Sequence, residues 1–195
     1  MRASTRRELV AGPAGRIECA VDAPEGELRG RVLVAHPHPQ FGGTLDNKVV
    51  QTLARAFVAL GYEAWRPNFR GIGESEGSYD EGRGEVDDLF AVYEKIHPSV
   101  QAGFSFGAAM QAMLAARVKA GRMVLVGVAV TNFKVPPVPA GTLVIHGERD
   151  ETIPLAAVLD WARPQELPVT LVPDADHFFH RKLHVLRALV EGSWK

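Results

Sequence analysis

The segment Gly103-Phe104-Ser105-Phe106-Gly107 constrains the fold of this chain more than any other stretch of its sequence. Two glycines flank Ser105 at the i−2 and i+2 positions, where a tight turn brings neighbouring backbone too close for a Cβ atom. Residues 99–102 have poor strand propensity and are assigned to a short strand because a helical pattern precedes them and this segment follows, whereas the Ala- and Met-rich residues after Ser105 favour a helix. We therefore predict a sharp strand-to-helix turn that lifts the Ser105 hydroxyl above a sheet and leaves the Phe106 N–H pointing where an oxyanion would form.

Strand-like and helix-like patterns alternate from residue 31 to the end of the chain, and uninterrupted apolar runs such as residues 32–35 are typical of strands buried on both faces of a parallel sheet. The predicted strands cover residues 32–35, 62–66, 99–102, 123–130, 142–145 and 169–172. The predicted helices cover residues 47–60, 84–96, 106–119 and 154–161, with Leu183, Leu186 and Val190 marking the buried stripe of a final helix. The order predicts an α/β fold with a mostly parallel sheet, helices on both faces and right-handed crossovers. Ligands then belong at the carboxyl ends of the strands.

The first part of the chain carries weaker signals. Residues 1–15 are polar and predict an edge strand or a frayed start. Residues 16–21 alternate in side-chain type before Pro24 and Gly26, which predicts a half-exposed strand at the edge of the sheet. Asp46 is the predicted N-cap of the first helix.

Composition limits the classes of protein and of partner. With 195 residues and 46 % hydrophobic content, the chain is long enough for one well-buried core, so we expect a single domain over residues 1–195. The formal net charge of −1, with scattered Lys and Arg, argues against nucleic acid or a membrane as a partner. A single cysteine, Cys19, allows no internal disulfide, and neither a signal peptide nor a membrane span is apparent. We expect a cytoplasmic monomer or homodimer that uses no cofactor and no metal.

A serine hydroxyl needs a base to take its proton and an acid to orient that base, and the sequence offers both. Asp150 follows the predicted strand 142–145, and His177 follows the predicted strand 169–172. Because carboxyl ends of parallel strands share one edge of the sheet, Ser105, Asp150 and His177 are expected on one rim. Their order along the chain, serine, acid and histidine, is that of the α/β-hydrolases.

Other acids and histidines lie close to these two in the sequence. Glu148, Glu151 and Asp174 are alternatives to Asp150 as the acid, and each could equally be a solvated loop charge. Asp176 is expected to stabilise its own turn. The alternatives to His177 are His180 and His184, which we place on the final helix, where a partly exposed histidine usually has no catalytic role.

Motifs over nearly the whole chain resemble those of small bacterial α/β-hydrolases of the serine esterase superfamily, in the lidless group related to dienelactone hydrolases. They are VLVAHPHPQFGG followed by DNKVV, then NFRGIGESEG, GFSFG, HGERDETIP and ADHFFH. The resemblance implies that Ser105 is the nucleophile, His177 the general base and Asp150 its partner. It also implies that His38 supplies the second oxyanion donor beside Phe106. Since His36-Pro37 replaces the usual His-Gly, Phe41 or Gly42 could donate in its place.

Two further motifs have structural interpretations that compete with functional ones. His36-Pro37-His38 could present two imidazoles to zinc, but no further ligand follows until Asp46, so we expect His36 to form hydrogen bonds within its loop. The glycine-rich residues 68–77 lack the Lys-Ser/Thr of a phosphate-binding loop and predict a rim loop. Arg70 is expected to pair with an acidic neighbour such as Glu74, or to touch substrate.

The connection from Thr131 to Gly141 is too short to hold the lid that related enzymes insert at this position. We therefore expect Ser105 to be open to solvent in a shallow groove that accepts short-chain esters or thioesters. The residues expected to contact substrate are His36, Phe41, Phe104, Asn132 and Phe133.

Other functions remain compatible with the same motifs. An amidase or peptidase could use the same three residues, since leaving-group preference is a property of the pocket. A catalytically idle hydrolase fold that serves as a binding module is a further alternative. A cysteine nucleophile is disfavoured, because Cys19 lies far upstream of the turn at Ser105.

Overall fold

The computed structural model describes residues 5–194, which form one eight-stranded sheet with helices on both faces. The strands are β1 (Arg6–Gly12), β2 (Gly15–Asp22), β3 (Gly30–Ala35), β4 (Tyr62–Pro67), β5 (Val100–Phe104), β6 (Arg122–Val126), β7 (Leu143–Gly147) and β8 (Val169–Val172). Their order across the sheet is β1-β2-β4-β3-β5-β6-β7-β8. The six strands from β3 to β8 run parallel, whereas β1 and β2 are antiparallel additions beside β4.

Five α-helices cover the two faces of the sheet. They are α1 (Lys48–Ala59), α2 (Arg83–Ile96), α3 (Phe106–Ala115), α4 (Leu155–Ala162) and α5 (Leu183–Ser193). One core contains apolar side chains of α2, α3 and α4, and the other contains those of α1 and α5. The predicted α/β class, with a mostly parallel sheet between two helical layers, is thus confirmed. No helix within residues 5–194 is long and apolar enough to cross a membrane.

The prediction that residues 16–21 form a sheet edge is wrong, because β2 pairs with β1 on one side and with β4 on the other. Its alternating pattern arises because its polar side chains contact a loop. Glu18 accepts hydrogen bonds from the Asn68 side chain at 2.8 Å and from the Glu74 N–H at 3.0 Å. The β1 strand is the edge, as one of the two interpretations of residues 1–15 expected.

Several element ends differ from the prediction for local reasons. Asn47, and not Asp46, caps α1, since its side-chain oxygen accepts from the Val49 N–H at 2.9 Å. The predicted helix 106–119 ends at Ala115, after which the chain continues in turns. The predicted strand 123–130 ends at Val126, because Gly127 adopts a left-handed conformation with φ of 52°.

Candidate active site

Ser105 occupies a strained turn between β5 and α3. Its φ of 54° and ψ of −117° lie outside the regions that non-glycine residues favour, as in a nucleophile elbow. The turn is held on both sides, since the Ser105 N–H donates to the carbonyl of Val126 and the Ser105 carbonyl accepts from the Ala108 N–H. The conformation directs the side chain toward the carboxyl edge of the sheet.

The flanking glycines are required by close backbone approaches. A Cβ on Gly103 would lie 2.5 Å from the carbonyl oxygen of Gly107. A Cβ on Gly107 would collide with the carbonyl oxygen of Ala35, at the end of β3. The first turn of α3 therefore packs directly against two strands, as the sequence pattern predicts.

The structure brings Ser105, His177 and Asp150 together. The Ser105 Oγ lies 3.0 Å from His177 Nε2, and His177 Nδ1 lies 2.7 Å from Asp150 Oδ2. Asp150 follows β7 and His177 follows β8, so the two loops meet above adjacent parallel strands. All three residues are less than 9 % exposed. Since a carboxylate can only accept, the His177 Nδ1–H donates a hydrogen bond to Asp150, which leaves the Nε2 lone pair facing the serine hydroxyl.

Asp150 is fixed by its own turn. Its Oδ1 accepts from the backbone N–H groups of Thr152 at 2.9 Å and Ile153 at 2.8 Å, which leaves Oδ2 for His177. The buried ring of His146 extends this arrangement, because its Nε2 lies 3.0 Å from the carbonyl of Ile153.

The alternative acids have other partners or point to solvent. Glu148 accepts from the Asp174 N–H at 2.9 Å, and Asp174 pairs with Arg149 at 2.7 Å. Glu151 is exposed. None of the three contacts His177 as Asp150 does.

The alternative histidines also lie apart from Ser105. His180 pairs with Asp176 at 2.6 Å, and Asp176 accepts the His180 N–H, so Asp176 stabilises its turn as expected. The placement of His180 on the final helix is wrong, because it lies in the turn before α5. His184 is on α5 and exposed.

Two backbone amides near Ser105 are unoccupied donors. Within residues 5–194, neither the Phe106 N–H nor the His38 N–H has a hydrogen-bond acceptor. The alternative donors are engaged in their own loop, since the Phe41 N–H donates to the carbonyl of His38 and the Gly42 N–H to that of Pro39. The amides of Phe106 and His38, and not those of Phe41 and Gly42, are therefore free to donate to a substrate oxygen.

His36 does not contact the cleft, contrary to its assignment as a substrate-binding residue. The side chain is fully buried, with Nδ1 2.7 Å from the carbonyl of Pro37 and Nε2 accepting from the Phe69 N–H at 3.0 Å. Burial lowers the pKa of His36 to about 4. Both ring nitrogens are occupied, and residues 5–194 contain no group of three or more His, Cys, Asp and Glu side chains placed to hold a metal ion. His36 thus ties the loop after β3 to the loop after β4.

Phe104 is also misassigned as a substrate contact. Its ring is fully buried and lies 4.9 Å from the ring of His177 and 5.7 Å from that of Phe178, measured between centroids. Phe104 therefore packs against the His177 ring from within the core, because both faces of a central parallel strand are covered by helices.

A cleft of about 570 Å³ opens beside Ser105, within the usual size range of small-molecule sites. Three predicted contact residues, Phe41, Asn132 and Phe133, line it. Ser105 is 8 % exposed, so it sits at the floor of the cleft and is less open to solvent than expected. The other lining residues are His38, Tyr79, Glu81, Phe106, Ala129, Lys134, Thr152 and Ile153.

Tyr79 and Glu81 also line this cleft, which the sequence pattern did not predict. Tyr79 follows the glycine-rich rim loop, and its hydroxyl lies 3.2 Å from His38 Nε2. The sequence feature that could have indicated Tyr79 is an aromatic residue at the end of the polar loop that follows the carboxyl end of β4.

The partner expected for Arg70 is corrected, because Arg70 forms two hydrogen bonds of 2.8 Å to Asp88 of α2 and none to Glu74. This pair fixes the rim loop against a helix.

Similar proteins were found among curated sequences and among solved structures. No protein-family model matches the chain. An uncharacterized protein of Rickettsia prowazekii is 31 % identical in an alignment of 193 positions, and the alignment covers 88 % of this chain and 81 % of the relative.

Two solved structures are more similar. A Xanthomonas campestris protein described as an α/β serine hydrolase without a lid is 37 % identical, with a TM-score of 0.90 over 99 % of this chain and 94 % of that one. An α/β serine hydrolase homologue from Coxiella burnetii is 37 % identical, with a TM-score of 0.89 over 96 % of both chains.

Proposed function

Since this chain belongs to the α/β serine hydrolases without a lid, we propose that it cleaves short-chain carboxylic esters or thioesters with Ser105 as the nucleophile. The observation that carries the proposal is the contact of 3.0 Å between Ser105 Oγ and His177 Nε2 at the floor of the cleft. A serine held by a strained turn beside an unprotonated imidazole nitrogen is the arrangement that activates a hydroxyl for acyl transfer.

The first half of the reaction forms an acyl-enzyme. His177 Nε2 removes the Ser105 proton while Oγ attacks the carbonyl carbon, and the carbonyl oxygen becomes an oxyanion that the Phe106 and His38 amides stabilise. Asp150 stabilises the positive charge on His177 through Nδ1. The intermediate then collapses, and the leaving alcohol or thiol takes the proton from Nε2. Water, activated by the same imidazole, releases the carboxylic acid.

The dimensions and lining of the cleft support small acyl groups. A volume of about 570 Å³ must hold both the acyl and the leaving group, and Phe41, Phe106 and Phe133 provide apolar contacts. Within residues 5–194, no lid segment is present to enclose a long acyl chain, because the connection between β6 and β7 has no helix or strand of its own. Long acyl chains would therefore leave apolar surface in water.

Replacement of Ser105 tests the nucleophile. We expect Ser105→Ala to lower kcat for p-nitrophenyl acetate and butyrate by more than about 10⁴-fold. Without the hydroxyl no covalent tetrahedral intermediate can form, so the oxyanion donors have no serine adduct to stabilise. Exposed Ser78 supplies the matched control, and Ser78→Ala should retain full activity. A fluorophosphonate should label the wild type at Ser105 and leave Ser105→Ala unlabelled. Undiminished turnover by Ser105→Ala would exclude the mechanism.

A series of substrates tests the substrate class. For p-nitrophenyl esters, kcat/KM should be highest between acetate and butyrate and should fall from octanoate onward. A higher kcat/KM on p-nitroanilides of the same acids would favour an amidase, and absent fluorophosphonate labelling would favour a binding module. An increase in kcat/KM up to long-chain esters would contradict the short-chain assignment.

A further inference from the structure

One hydroxyl in the cleft has a donor proton that no described residue uses. Tyr79 is half-buried and lines the cleft together with Ser105 and Phe106. Within residues 5–194, the only hydrogen-bond partner of its hydroxyl is His38 Nε2, at 3.2 Å. Because a phenol can donate one hydrogen bond and accept others, the direction of this contact decides what Tyr79 can offer to a substrate.

The tautomer of His38 follows from its second contact. The backbone N–H of Gln40 donates to His38 Nδ1 at 3.3 Å, and a backbone N–H can only donate, so Nδ1 carries a lone pair. Burial lowers the pKa of His38 below its ordinary value, which keeps the ring neutral at pH 7. A neutral imidazole with a lone pair on Nδ1 carries its proton on Nε2. His38 is therefore the donor to the Tyr79 oxygen.

The hydroxyl proton of Tyr79 is consequently not used in a hydrogen bond to any residue from 5 to 194. Its oxygen accepts from His38, and its O–H has no acceptor within residues 5–194. Burial raises the pKa of Tyr79 above its ordinary value, so the phenol keeps its proton at neutral pH. The Gln40 N–H, the His38 ring and the Tyr79 hydroxyl thus form a relay that ends in a free donor at the cleft.

Tyr79 packs against His38 and Phe106, the two residues whose backbone N–H groups have no acceptor within residues 5–194. The ring of Tyr79 packs against the ring of His38 at 4.9 Å and against that of Phe106 at 6.2 Å, measured between centroids. The His38 and Phe106 rings also contact each other, at 4.9 Å. The free hydroxyl and the two free N–H groups therefore belong to one packed unit of three residues at the cleft.

We propose that Tyr79 is a catalytic residue that donates its O–H to the substrate oxygen on which negative charge develops when Ser105 attacks. This inference rests on the proposed acyl transfer at Ser105. No proton leaves Tyr79 in the step, and the hydrogen bond strengthens as the oxygen becomes charged. Tyr79 then acts as a third donor beside the Phe106 and His38 amides.

Removal of the hydroxyl is the direct test. Tyr79→Phe keeps the ring and its packing, and we expect kcat for p-nitrophenyl acetate and butyrate to fall on the order of 100-fold, with KM little changed. The loss should be similar for both acyl groups, because the donor contacts the reacting oxygen and not the acyl chain. Tyr93 supplies the matched control, since its hydroxyl bonds to the carbonyl of Lys119 at 3.0 Å outside the cleft. Tyr93→Phe should leave kcat unchanged.

The relay is tested by a second variant and by their combination. His38→Phe retains an aromatic ring against Tyr79 and Phe106 but removes both ring nitrogens, so the Tyr79 hydroxyl is no longer oriented. We expect a smaller loss of kcat than in Tyr79→Phe, and no further loss when the two changes are combined. Losses that multiply in the double variant would contradict a relay through His38.

Phosphonylation of Ser105 separates this inference from the proposed esterase activity. The phosphoryl oxygen of a fluorophosphonate also gains negative charge during attack, so Tyr79→Phe should slow labelling by a factor similar to its loss of kcat. If the wild type is labelled but cleaves no ester, the substrate assignment fails and the labelling rates still decide the role of Tyr79. A rise in KM alone, or equal labelling rates in wild type and Tyr79→Phe, would overturn the inference.

Discussion

At the scale of single residues, the orientation of His177 depends on one oxygen of Asp150. Oδ1 accepts the N–H groups of Thr152 and Ile153, so Oδ2 alone accepts the hydrogen bond from the His177 Nδ1–H. In Asp150→Asn, the same two N–H groups retain the side-chain oxygen and place the NH₂ group against Nδ1. The imidazole must then carry its proton on Nε2, the wrong nitrogen for removing the proton of Ser105.

We therefore expect Asp150→Asn to lower kcat for p-nitrophenyl acetate by about 10³- to 10⁴-fold, with little change in KM. Glu151→Gln removes an exposed carboxylate one residue away and should keep kcat within about twofold. Steady-state kinetics of the two variants, with circular dichroism to verify folding, decides between the acids. Equal losses in both variants would contradict the role of Asp150.

The sequence predicted contacts at the ends of regular strands better than contacts within loops. Ser105, Asp150 and His177 each follow a predicted strand closely, so the sheet edge places them whatever the details of their loops. His36 also follows a strand directly, yet its side chain turns inward to bind the Phe69 N–H. No periodic pattern tells which side of an irregular loop a side chain faces. Tyr79 was missed for the same reason, since it lies twelve residues beyond the end of β4.

At the scale of secondary-structure elements, the contact of α3 with the sheet depends on the absence of side chains at its first turn. A Cβ on Gly107 would meet the backbone carbonyls of Ala35 and His36, and backbone cannot move aside as a flexible side chain can. We expect Gly107→Ala to lower the free energy of unfolding by about 1–3 kcal/mol and to reduce activity by displacing Ser105. Urea denaturation and ester hydrolysis measure the two effects.

Gly192 is the matched control for this substitution. It lies in α5, and a Cβ added there meets no atom within 4 Å. Because alanine is the better helix former, Gly192→Ala should raise the free energy of unfolding by up to about 1 kcal/mol. Equal stability of Gly107→Ala and the wild type would show that α3 is not held as closely as the contacts indicate.

Element types were easier to predict than their ends and neighbours. Continuous apolar runs identified β3 and β7, and helical spacing identified α1 and α2. The position of β2 between two strands was not predicted, because its polar side chains bind the rim loop and imitate a solvent-facing pattern. The end of β6 depends on the left-handed backbone of Gly127, which lies beneath His177 and follows from tertiary packing.

At the scale of the whole molecule, the α/β class and the common edge for Ser105, Asp150 and His177 follow from the alternation of strands and helices. The order of the strands does not follow from this alternation. β4 lies on one side of β3, and the chain then crosses over so that β5 lies on the other side of β3. The depth of the cleft also depends on how loops from different strands pack together. Phe41, Tyr79 and Phe133 come from three such loops, and together they form walls that recess Ser105.

The buried histidine between two of these loops makes the stability of the whole chain depend on pH. Burial lowers the pKa of His36 to about 4 in the folded protein, whereas an unfolded histidine has a pKa of about 6.5. Above pH 6.5 the ring is neutral in both states, and the stabilisation is complete. As the pH falls from 6.5 to 4, only the unfolded chain binds the proton, so the free energy of unfolding decreases. Burial also lowers the pKa of His146, which adds a change of the same sign.

We expect His36 alone to make the protein less stable at pH 5 than at pH 7 by about 2 kcal/mol. His36→Gln has no titrating group, so its free energy of unfolding should be lower at pH 7 but should fall less between pH 7 and pH 5. His184→Gln, on an exposed face of α5, should retain the wild-type difference between the two pH values. Urea denaturation of the three proteins at both pH values measures the differences. If His36→Gln and the wild type lose equal stability, the neutral ring of His36 does not couple the loops after β3 and β4 to pH.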